Sequence, residues 1–379
     1  MLLFKPYHIN DKLLIENRIV MPPVVTRLAT VEGHVTEELI DRYLMYAKGG
    51  AGLVVTEAVS VKKQKSGQLL RLNSDEFIPD LKELTGRVHS ESSAKIMPQI
   101  IHFLKIARNG YRQKVEDLTL EEIQEIPGLF SQAASRAREA GFDGVELHFA
   151  HGYTMSSFLS CHNHRKDDYG GSLKKRLRLA EEVVTVTRKA VGEDFVIGAR
   201  MNGDEFTIGG NTTAHSIPIA HKLAQLGLDY ISVSAGGRFE DAIPREGEAL
   251  DPYTGYSGHR TMPPLWMGEK VNVHLATGIK KSLNQAGYTT PVITAGRIPD
   301  AKTANEILDN GEADLVGIAR PILCDPFWPV KYKEKREKDI LKCVYCNECR
   351  EAEGAFEEVT CARWKKKDGS IQLPSLNSA

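Results

Sequence analysis

An eight-stranded parallel α/β barrel, a TIM (β/α)8 barrel with a cysteine-rich C-terminal appendage, is the fold that this sequence predicts. Short runs rich in β-branched residues alternate with segments of helical periodicity, which is the pattern of a parallel sheet covered by helices. No Gly-x-Gly-x-x-Gly motif follows an early run, and this argues against a doubly wound dinucleotide-binding sheet. Chemically active residues recur just after the runs, where barrel enzymes carry their active sites.

The elements of the barrel are predicted in chain order. Strands are predicted at residues 18–21, 52–56, 95–99, 144–148, 195–200, 230–234, 291–295 and 314–318. Helices are predicted at residues 120–140, with an interruption near Pro127-Gly128, and at residues 172–191, 213–226, about 268–286 and 301–310. Thr119-Leu-Glu-Glu122 is typical of a helix start with a carboxylate in its first turn. We expect residues 1–330 to form the barrel and residues 331–379 to form the appendage.

The long loop from Gly236 to Pro264 contains Tyr253, Tyr256 and several glycines. Long loops in compact domains are usually functional, so we expect this one to form a lid or a substrate wall over the active-site face.

The charge and hydropathy of the chain exclude several classes of protein. With 49 basic and 50 acidic residues the formal net charge is −1, which gives no electrostatic basis for binding nucleic acid or an anionic membrane. No apolar run has the length of a membrane span, and the first residues lack the pattern of a signal peptide. We therefore expect a cytoplasmic protein that acts on a small molecule, and homo-oligomerisation stays open.

The stretch His148-Phe-Ala-His151-Gly-Tyr153 follows one of the predicted strands. Two imidazoles can donate hydrogen bonds to a carbonyl or nitro oxygen, and a phenol with a pKa of about 10 can give a proton to carbon. A fragment of a zinc site, or two histidines in the core, would produce the same six residues. The motif alone leaves these interpretations open.

Four of the six cysteines, Cys343, Cys346, Cys349 and Cys361, lie in the last tenth of the chain. In a chain without a secretory signal, this crowding indicates a metal or an iron–sulfur cluster more than disulfides. Four thiolates at such spacing can bind a cubane cluster or a tetrahedral zinc ion. The local pattern is compatible with both.

Several of these motifs together resemble one known family. The His148 to Tyr153 stretch, followed by Phe158-Leu-Ser-Cys-His-Asn-His-Arg165 and Asp168-Tyr-Gly-Gly-Ser172, resembles the signature of the Old Yellow Enzyme family of FMN-dependent ene-reductases. Asn17-Arg-Ile-Val-Met-Pro-Pro23 resembles the same family, and the order of its motifs extends over residues 3–328. The resemblance implies that His148 and His151 bind the activating oxygen of the substrate and that Tyr153 protonates the α-carbon of its double bond.

The same resemblance implies a set of FMN-binding residues. The flavin ring would contact Pro22, Pro23, Val24, Val25, Thr26, Ala58, Gln99 and Arg200, and its phosphate would contact Gly236, Gly237, Gly296, Arg297, Ala319 and Arg320. Thr26 would donate to a flavin oxygen, and the amide of Gln99 would supply a donor and an acceptor to the pyrimidine edge. Arg200 would stabilise the negative charge of the reduced flavin.

The cysteine motif is similar to that of the iron–sulfur branch of this family, which includes 2,4-dienoyl-CoA reductase and trimethylamine dehydrogenase. This similarity implies a [4Fe–4S] cluster near the FMN. Those relatives continue into a nucleotide-binding domain, whereas this sequence ends at Ala379. We therefore expect electrons to come from a partner protein, a ferredoxin or a flavoprotein, or from NAD(P)H that binds directly at the FMN.

Two other functions stay open: an amine dehydrogenase or demethylase that passes electrons out through the cluster, and a non-catalytic electron-transfer subunit. The relatives of trimethylamine dehydrogenase carry tyrosine at the position of His148, so the residues of this chain favour reduction of an activated carbon–carbon double bond.

Overall fold

Eight parallel strands form a closed barrel in the computed structural model, which describes residues 1–63, 67–105, 113–237, 255–366 and 368–376. Two strands that precede the barrel form a separate hairpin, β1 (Tyr7–Ile9) and β2 (Leu13–Ile15). The barrel strands are β3 (Ile19–Met21), β4 (Leu53–Ser60), β5 (Lys95–Ile101), β6 (Gly144–Phe149), β7 (Val196–Asp204), β8 (Tyr230–Ala235), β9 (Val292–Ala295) and β10 (Leu315–Gly317). Strands β3 to β10 follow one another around the barrel, and β10 pairs with β3 to close it. The predicted eight-stranded parallel barrel is confirmed.

The helices cover the outside of the barrel and its carboxyl-terminal face. They are α1 (Glu37–Lys48), α2 (Ile78–Glu91), α3 (Leu120–Glu139), α4 (Thr154–Leu159), α5 (Leu173–Val191), α6 (Thr213–Gln225), α7 (Gly255–Thr261), α8 (Val273–Gln285), α9 (Ala301–Asp309), α10 (Arg320–Cys324), α11 (Trp328–Lys333) and α12 (Glu348–Gly354). All five predicted helices are present, although α8 begins five residues later than predicted. The other seven helices, α1, α2, α4, α7, α10, α11 and α12, were not predicted.

Helix α3 differs from its prediction because it continues through Pro127 without an interruption. A proline inside a helix removes one backbone hydrogen bond and usually ends or kinks the helix. Here Pro127 is buried together with Ile126 and Phe130, so apolar packing against the barrel compensates for the missing bond. The start of the helix agrees with the sequence, since Thr119 and Glu122 form a reciprocal capping box.

The hairpin of β1 and β2 closes the amino-terminal end of the barrel. Ile9 and Ile15 are fully buried and pack with inward-facing residues of the barrel strands, among them Val55 and Tyr230. Lys12 forms an ion pair with the buried Asp229 at a distance of 2.8 Å, just before β8 begins. Because this end is sealed, the carboxyl-terminal end is left for a ligand.

The cysteine-containing tail packs directly on the barrel. The indole nitrogen of Trp364 donates to the carbonyl of Cys324 at 2.9 Å, and Arg42 on α1 donates to the carbonyl of Val359 at 2.8 Å. Trp364 and Val359 are both buried in the main core. These contacts bring the cysteines beside the loops that leave β3 and β10, and the division of the chain near residue 330 stays a prediction. Among the described helices, none combines the length and the apolar character that a bilayer span requires.

Candidate active site

A cavity opens at the carboxyl-terminal end of the barrel, and most of the predicted site residues line it. These are Pro22, Pro23, Val24, Val25, Ala58, Gln99, His148, His151, Tyr153, Arg200, Gly296, Arg297, Ala319 and Arg320. They come from loops or strand ends separated by up to about 300 positions, and the closed parallel barrel brings them to one face. The cavity is therefore the candidate active site.

His148 has a defined hydrogen-bonding polarity in this cavity. It lies near the end of β6 and is 3 % exposed. The backbone N–H of Ala150 donates to its Nδ1 atom at 3.2 Å, so Nδ1 is an acceptor. In a neutral imidazole the other nitrogen then carries the proton. The Nε2–H group of His148 is thus a hydrogen-bond donor.

His151 and Tyr153 lie next to His148 because the chain turns sharply after β6. His151 and Gly152 both have left-handed backbone conformations, with φ angles of 63° and 71°. The ring centroids of His148 and His151 are 5.1 Å apart, and those of His148 and Tyr153 are 5.0 Å apart. Nε2 of His151 is 2.7 Å from the Ser234 hydroxyl oxygen, which ties its ring to β8. The three side chains form one cluster on the cavity wall.

A second cluster of polar side chains lies inside the barrel, below the cluster of His148, His151 and Tyr153. The amide nitrogen of Gln99 donates to Glu146 at 2.6 Å, and the Tyr230 hydroxyl donates to the other carboxylate oxygen at 3.1 Å. Burial raises the pKa of Glu146, and the Arg200 guanidinium acts in the opposite direction. Arg200 also donates to Ser234 at 3.4 Å. These contacts fix Gln99 and Arg200 at the cavity floor, where the sequence predicts the pyrimidine edge of a flavin.

Three residues of the predicted flavin site do not line the cavity: Thr26, Gly236 and Gly237. Both the backbone N–H and the hydroxyl of Thr26 donate to the buried carboxylate of Glu57. The backbone N–H of Gly237 donates to the Ser257 hydroxyl at 2.9 Å, so that loop is directed toward α7. Because this hydroxyl of Thr26 is already committed to Glu57, the structure does not place it as a donor to a ligand in the cavity.

Arg297 and Arg320 form a cationic region at the side of the cavity nearest the tail. Each is 7 % exposed, and no carboxylate of the described residues lies within 4.0 Å of either guanidinium. Burial lowers the pKa of Arg320, as expected for a cation removed from water. Two buried guanidiniums without an anion fit the phosphate of a flavin mononucleotide.

The four tail cysteines surround a second, smaller cavity that is adjacent to the first. Cys343, Cys346, Cys349 and Cys361 all line it, and Cys349 also lines the main cavity. Burial raises the pKa of Cys349 to about 12, and its thiol neighbours Cys343, Cys361 and Cys346 act in the same direction. Within the described residues, however, no three His, Cys, Asp or Glu side chains converge closely enough to hold a metal ion. The structure thus groups the cysteines without showing a metal-binding geometry.

Some of the cavity wall was not predicted. Thr261, Met262 and Pro263 line it, so this end of the predicted lid borders the cavity, whereas residues 238–254 with Tyr253 lie outside the described residues. Tyr345 and Glu353 also line the cavity from the tail. Neither carries a local sequence signal, because their position depends on how the tail packs on the barrel.

Comparison with known proteins shows which protein family and which individual proteins this chain is similar to. A family model described as the NADH:flavin oxidoreductase / NADH oxidase family matches residues 2–117 and 105–339. The chain is 38 % identical over 356 residues to an NADH oxidase of Thermoanaerobacter brockii, a match that covers 88 % of this chain and 51 % of that protein.

Two solved structures share the fold over most of the chain. The complex of 2-naphthoyl-CoA reductase with 2-naphthoyl-CoA is 25 % identical with a TM-score of 0.82, covering 96 % of this chain and 56 % of its own. Histamine dehydrogenase from Rhizobium sp. 4-9 is 25 % identical with a TM-score of 0.79, covering 96 % of this chain and 52 % of its own. The chain thus spans about half the length of these similar proteins.

Proposed function

Because the chain belongs to the NADH:flavin oxidoreductase / NADH oxidase family of FMN-dependent oxidoreductases, we propose that it reduces an activated carbon–carbon double bond. The substrate class is an enoate, an enone or an enoyl-CoA thioester. One observation carries this proposal: a histidine with a defined Nε2–H donor lies beside a second histidine and a tyrosine on the wall of one cavity.

The roles of these residues follow from their chemistry. His148 donates Nε2–H to the activating oxygen of the substrate, and His151 binds the same oxygen. Reduced FMN, when bound, would supply the hydride for the β-carbon. The carbon–carbon double bond would then be reduced to a single bond, and the histidines would hold the oxygen on which the negative charge develops. Tyr153 then gives its phenolic proton to the α-carbon, and water returns a proton to the phenol. One hydride and one proton are thereby added across the bond.

The FMN would lie with its ring on the Pro22 to Val25 loop and its phosphate at Arg297 and Arg320. Gln99 and Arg200 at the cavity floor would contact the pyrimidine edge. This assignment is supported by the buried guanidiniums, which lack an anionic partner among the described residues. A phosphate dianion satisfies both cations and offsets the free energy cost of burying them.

We also propose that the four tail cysteines bind a [4Fe–4S] cluster. The donor set and the common cavity support this assignment. A single zinc ion would hold four sulfurs about 2.3 Å from the metal. A cubane spreads its ligands over four iron atoms, so its cysteines lie further apart.

An anaerobic titration tests the reaction. The purified protein, reduced with dithionite and freed of excess reductant, is mixed with an enoate, an enone and an enoyl-CoA while the flavin absorbance is recorded. We expect rapid flavin reoxidation by at least one class and formation of the saturated product. Reoxidation by none of the alkenes, together with flavin reduction by amines, would contradict the proposal.

Amine oxidation is the second candidate, and the similarity to histamine dehydrogenase favours it. In that case the oxidised flavin would accept electrons from an amine, and the cluster would pass them on. Mixing the oxidised protein with amines measures this half-reaction directly.

The electron donor for alkene reduction is tested separately, by mixing the oxidised protein with NADH, NADPH or a reduced ferredoxin and recording the reduction of the flavin.

A further inference from the structure

Tyr345 has an unusual position between two of the predicted cysteine ligands. Its backbone φ angle is 55°, a left-handed conformation that bulky residues rarely adopt. Such strain persists only where the surrounding structure compensates for it, and it often marks functional sites. In this position the aromatic ring lines both the main cavity and the cysteine cavity.

The ring of Tyr345 contacts both of the cations that are proposed to bind the phosphate. The guanidinium carbon of Arg297 is 4.3 Å from the ring centroid, and that of Arg320 is 4.8 Å from it. Arg320 also donates to Asn347 at 2.5 Å, and Arg297 donates to the carbonyl of Leu265 at 2.6 Å. The two guanidiniums are therefore held in place, and the tyrosine is held with them.

The phenolic hydroxyl of Tyr345 is buried and has no hydrogen-bond partner within the described part of the chain. The residue as a whole is 6 % exposed. A buried hydroxyl without a partner is costly, so a ligand that accepts a hydrogen bond is expected there. A phosphate bound at Arg297 and Arg320 would supply such an acceptor.

We propose that Tyr345 is a third ligand of the FMN phosphate and donates its hydroxyl hydrogen to a phosphate oxygen between Arg297 and Arg320. This inference rests on the proposed function, because it takes the phosphate to lie at the two arginines. It assigns Tyr345 a role in cofactor affinity and none in the transfer of hydride or proton.

The test compares FMN with riboflavin, which has the same ring and no phosphate. Flavin-free protein is titrated with each compound, and the dissociation constants follow from the change in flavin fluorescence. Tyr345→Phe keeps the ring between the arginines and removes only the hydroxyl. We expect this variant to bind FMN about 10- to 100-fold more weakly, the range for a hydrogen bond to a charged group, and riboflavin as tightly as before.

Two controls accompany this variant. Tyr288→Phe removes a phenol that precedes β9 at the opposite end of the barrel, and both affinities should stay unchanged. Tyr345→Gly suits the left-handed backbone and also removes the hydroxyl, so it tests the FMN-to-riboflavin ratio if Tyr345→Phe does not fold. Circular dichroism and thermal melting establish folding for each protein.

The possible outcomes separate this inference from the proposed function. Equal losses for FMN and riboflavin would mean that Tyr345 contacts the flavin ring, and unchanged affinities would mean that its hydroxyl serves another ligand, such as the cluster. Either result overturns the inference alone. If the unmodified protein does not prefer FMN to riboflavin, the phosphate site at the arginines fails, and the inference fails with it.

Discussion

His148 differs from a generic active-site histidine because its neighbours determine which nitrogen can donate. Ala150 donates to Nδ1, and this bond comes from the turn after β6 that also positions His151 and Tyr153. The polarity of the cluster is thus a property of the local backbone. It suits the binding of an oxygen on which negative charge develops.

Tyr153→Phe should slow the reoxidation of reduced flavin by an alkene about 10²- to 10⁴-fold, the range for a general acid. Reduction of the flavin should be unchanged, because the phenol acts only when the α-carbon is protonated. Stopped-flow absorbance measures both half-reactions, with Tyr288→Phe as the control. If alkene reoxidation keeps its normal rate, another residue or water is the acid.

At the scale of elements, β5 and α4 are joined by a buried histidine. Nδ1 of His102 is 2.9 Å from the Thr154 hydroxyl, and the side chain does not line the cavity. Burial lowers the pKa of His102 to about 4, and Lys62 adds to this effect. The neutral form is therefore the one that fits the fold.

This pKa predicts a pH dependence of stability. The ordinary pKa of a histidine is 6.5, and the pKa of His102 in the folded protein is about 4. Between these two pH values the unfolded chain binds a proton that the folded chain excludes, so stability falls as the pH decreases through this range. At ~1.36 kcal/mol per pH unit, the loss reaches about 3 kcal/mol. His102→Gln should flatten this part of the profile in urea unfolding experiments. Replacement of the exposed His8 by Gln is the control, and an equally steep profile in His102→Gln would refute the assignment.

Glycines within the elements provide a second prediction at this scale. Gly86 in α2 and Gly128 in α3 have open space where a Cβ atom would lie. Alanine at either position should raise the free energy of unfolding by about 0.5–1 kcal/mol, because it restricts the unfolded chain and favours the helix.

Gly198 in β7 is the matched contrast, since a Cβ atom there would come within 2.1 Å of the Tyr230 ring. Gly198→Ala should therefore destabilise the protein. Denaturant unfolding measures the free energy of unfolding of the three alanine variants and so tests these expectations. Stabilisation by Gly198→Ala would show that the barrel interior can rearrange.

For the whole molecule, the main feature is that two cavities share a wall. Arg320, Tyr345 and Cys349 line both of them, so the predicted flavin and cluster sites are neighbours. The tail reaches this position through the Trp364 and Val359 contacts with the barrel. Under the proposed function, this arrangement would give electrons a short path between the FMN and the cluster.

Protein purified without oxygen should contain one FMN and four iron atoms with four acid-labile sulfides per chain. Cys346→Ser should lower the iron and sulfide content while leaving FMN bound, because Cys346 lines only the cysteine cavity. Metal analysis and flavin absorbance measure both. Stoichiometric zinc without sulfide would instead establish a structural zinc site.

The sequence by itself determined the barrel and most of the cavity wall. Short runs of β-branched residues indicate the strands, and helical periodicity indicates the helices between them. Parallel strands in a closed barrel all end at the same face, so the residues that follow them lie close together. This is why His148, Gln99 and Arg297, which the family resemblance predicted as site residues, line one cavity. The hairpin of β1 and β2 that seals the other end was not predicted.

Only the tertiary structure decided which side chains line the cavity. Thr26 was expected to contact the flavin, but its hydroxyl donates to Glu57, a residue 31 positions away. Tyr345 and Glu353 reach the cavity because the tail folds back over the barrel, and no local pattern encodes that contact. Helix α3 likewise continues through Pro127 because burial outweighs local propensity. Local sequence fixes periodicity and strand ends, whereas side-chain direction depends on packing between residues that are far apart in the chain.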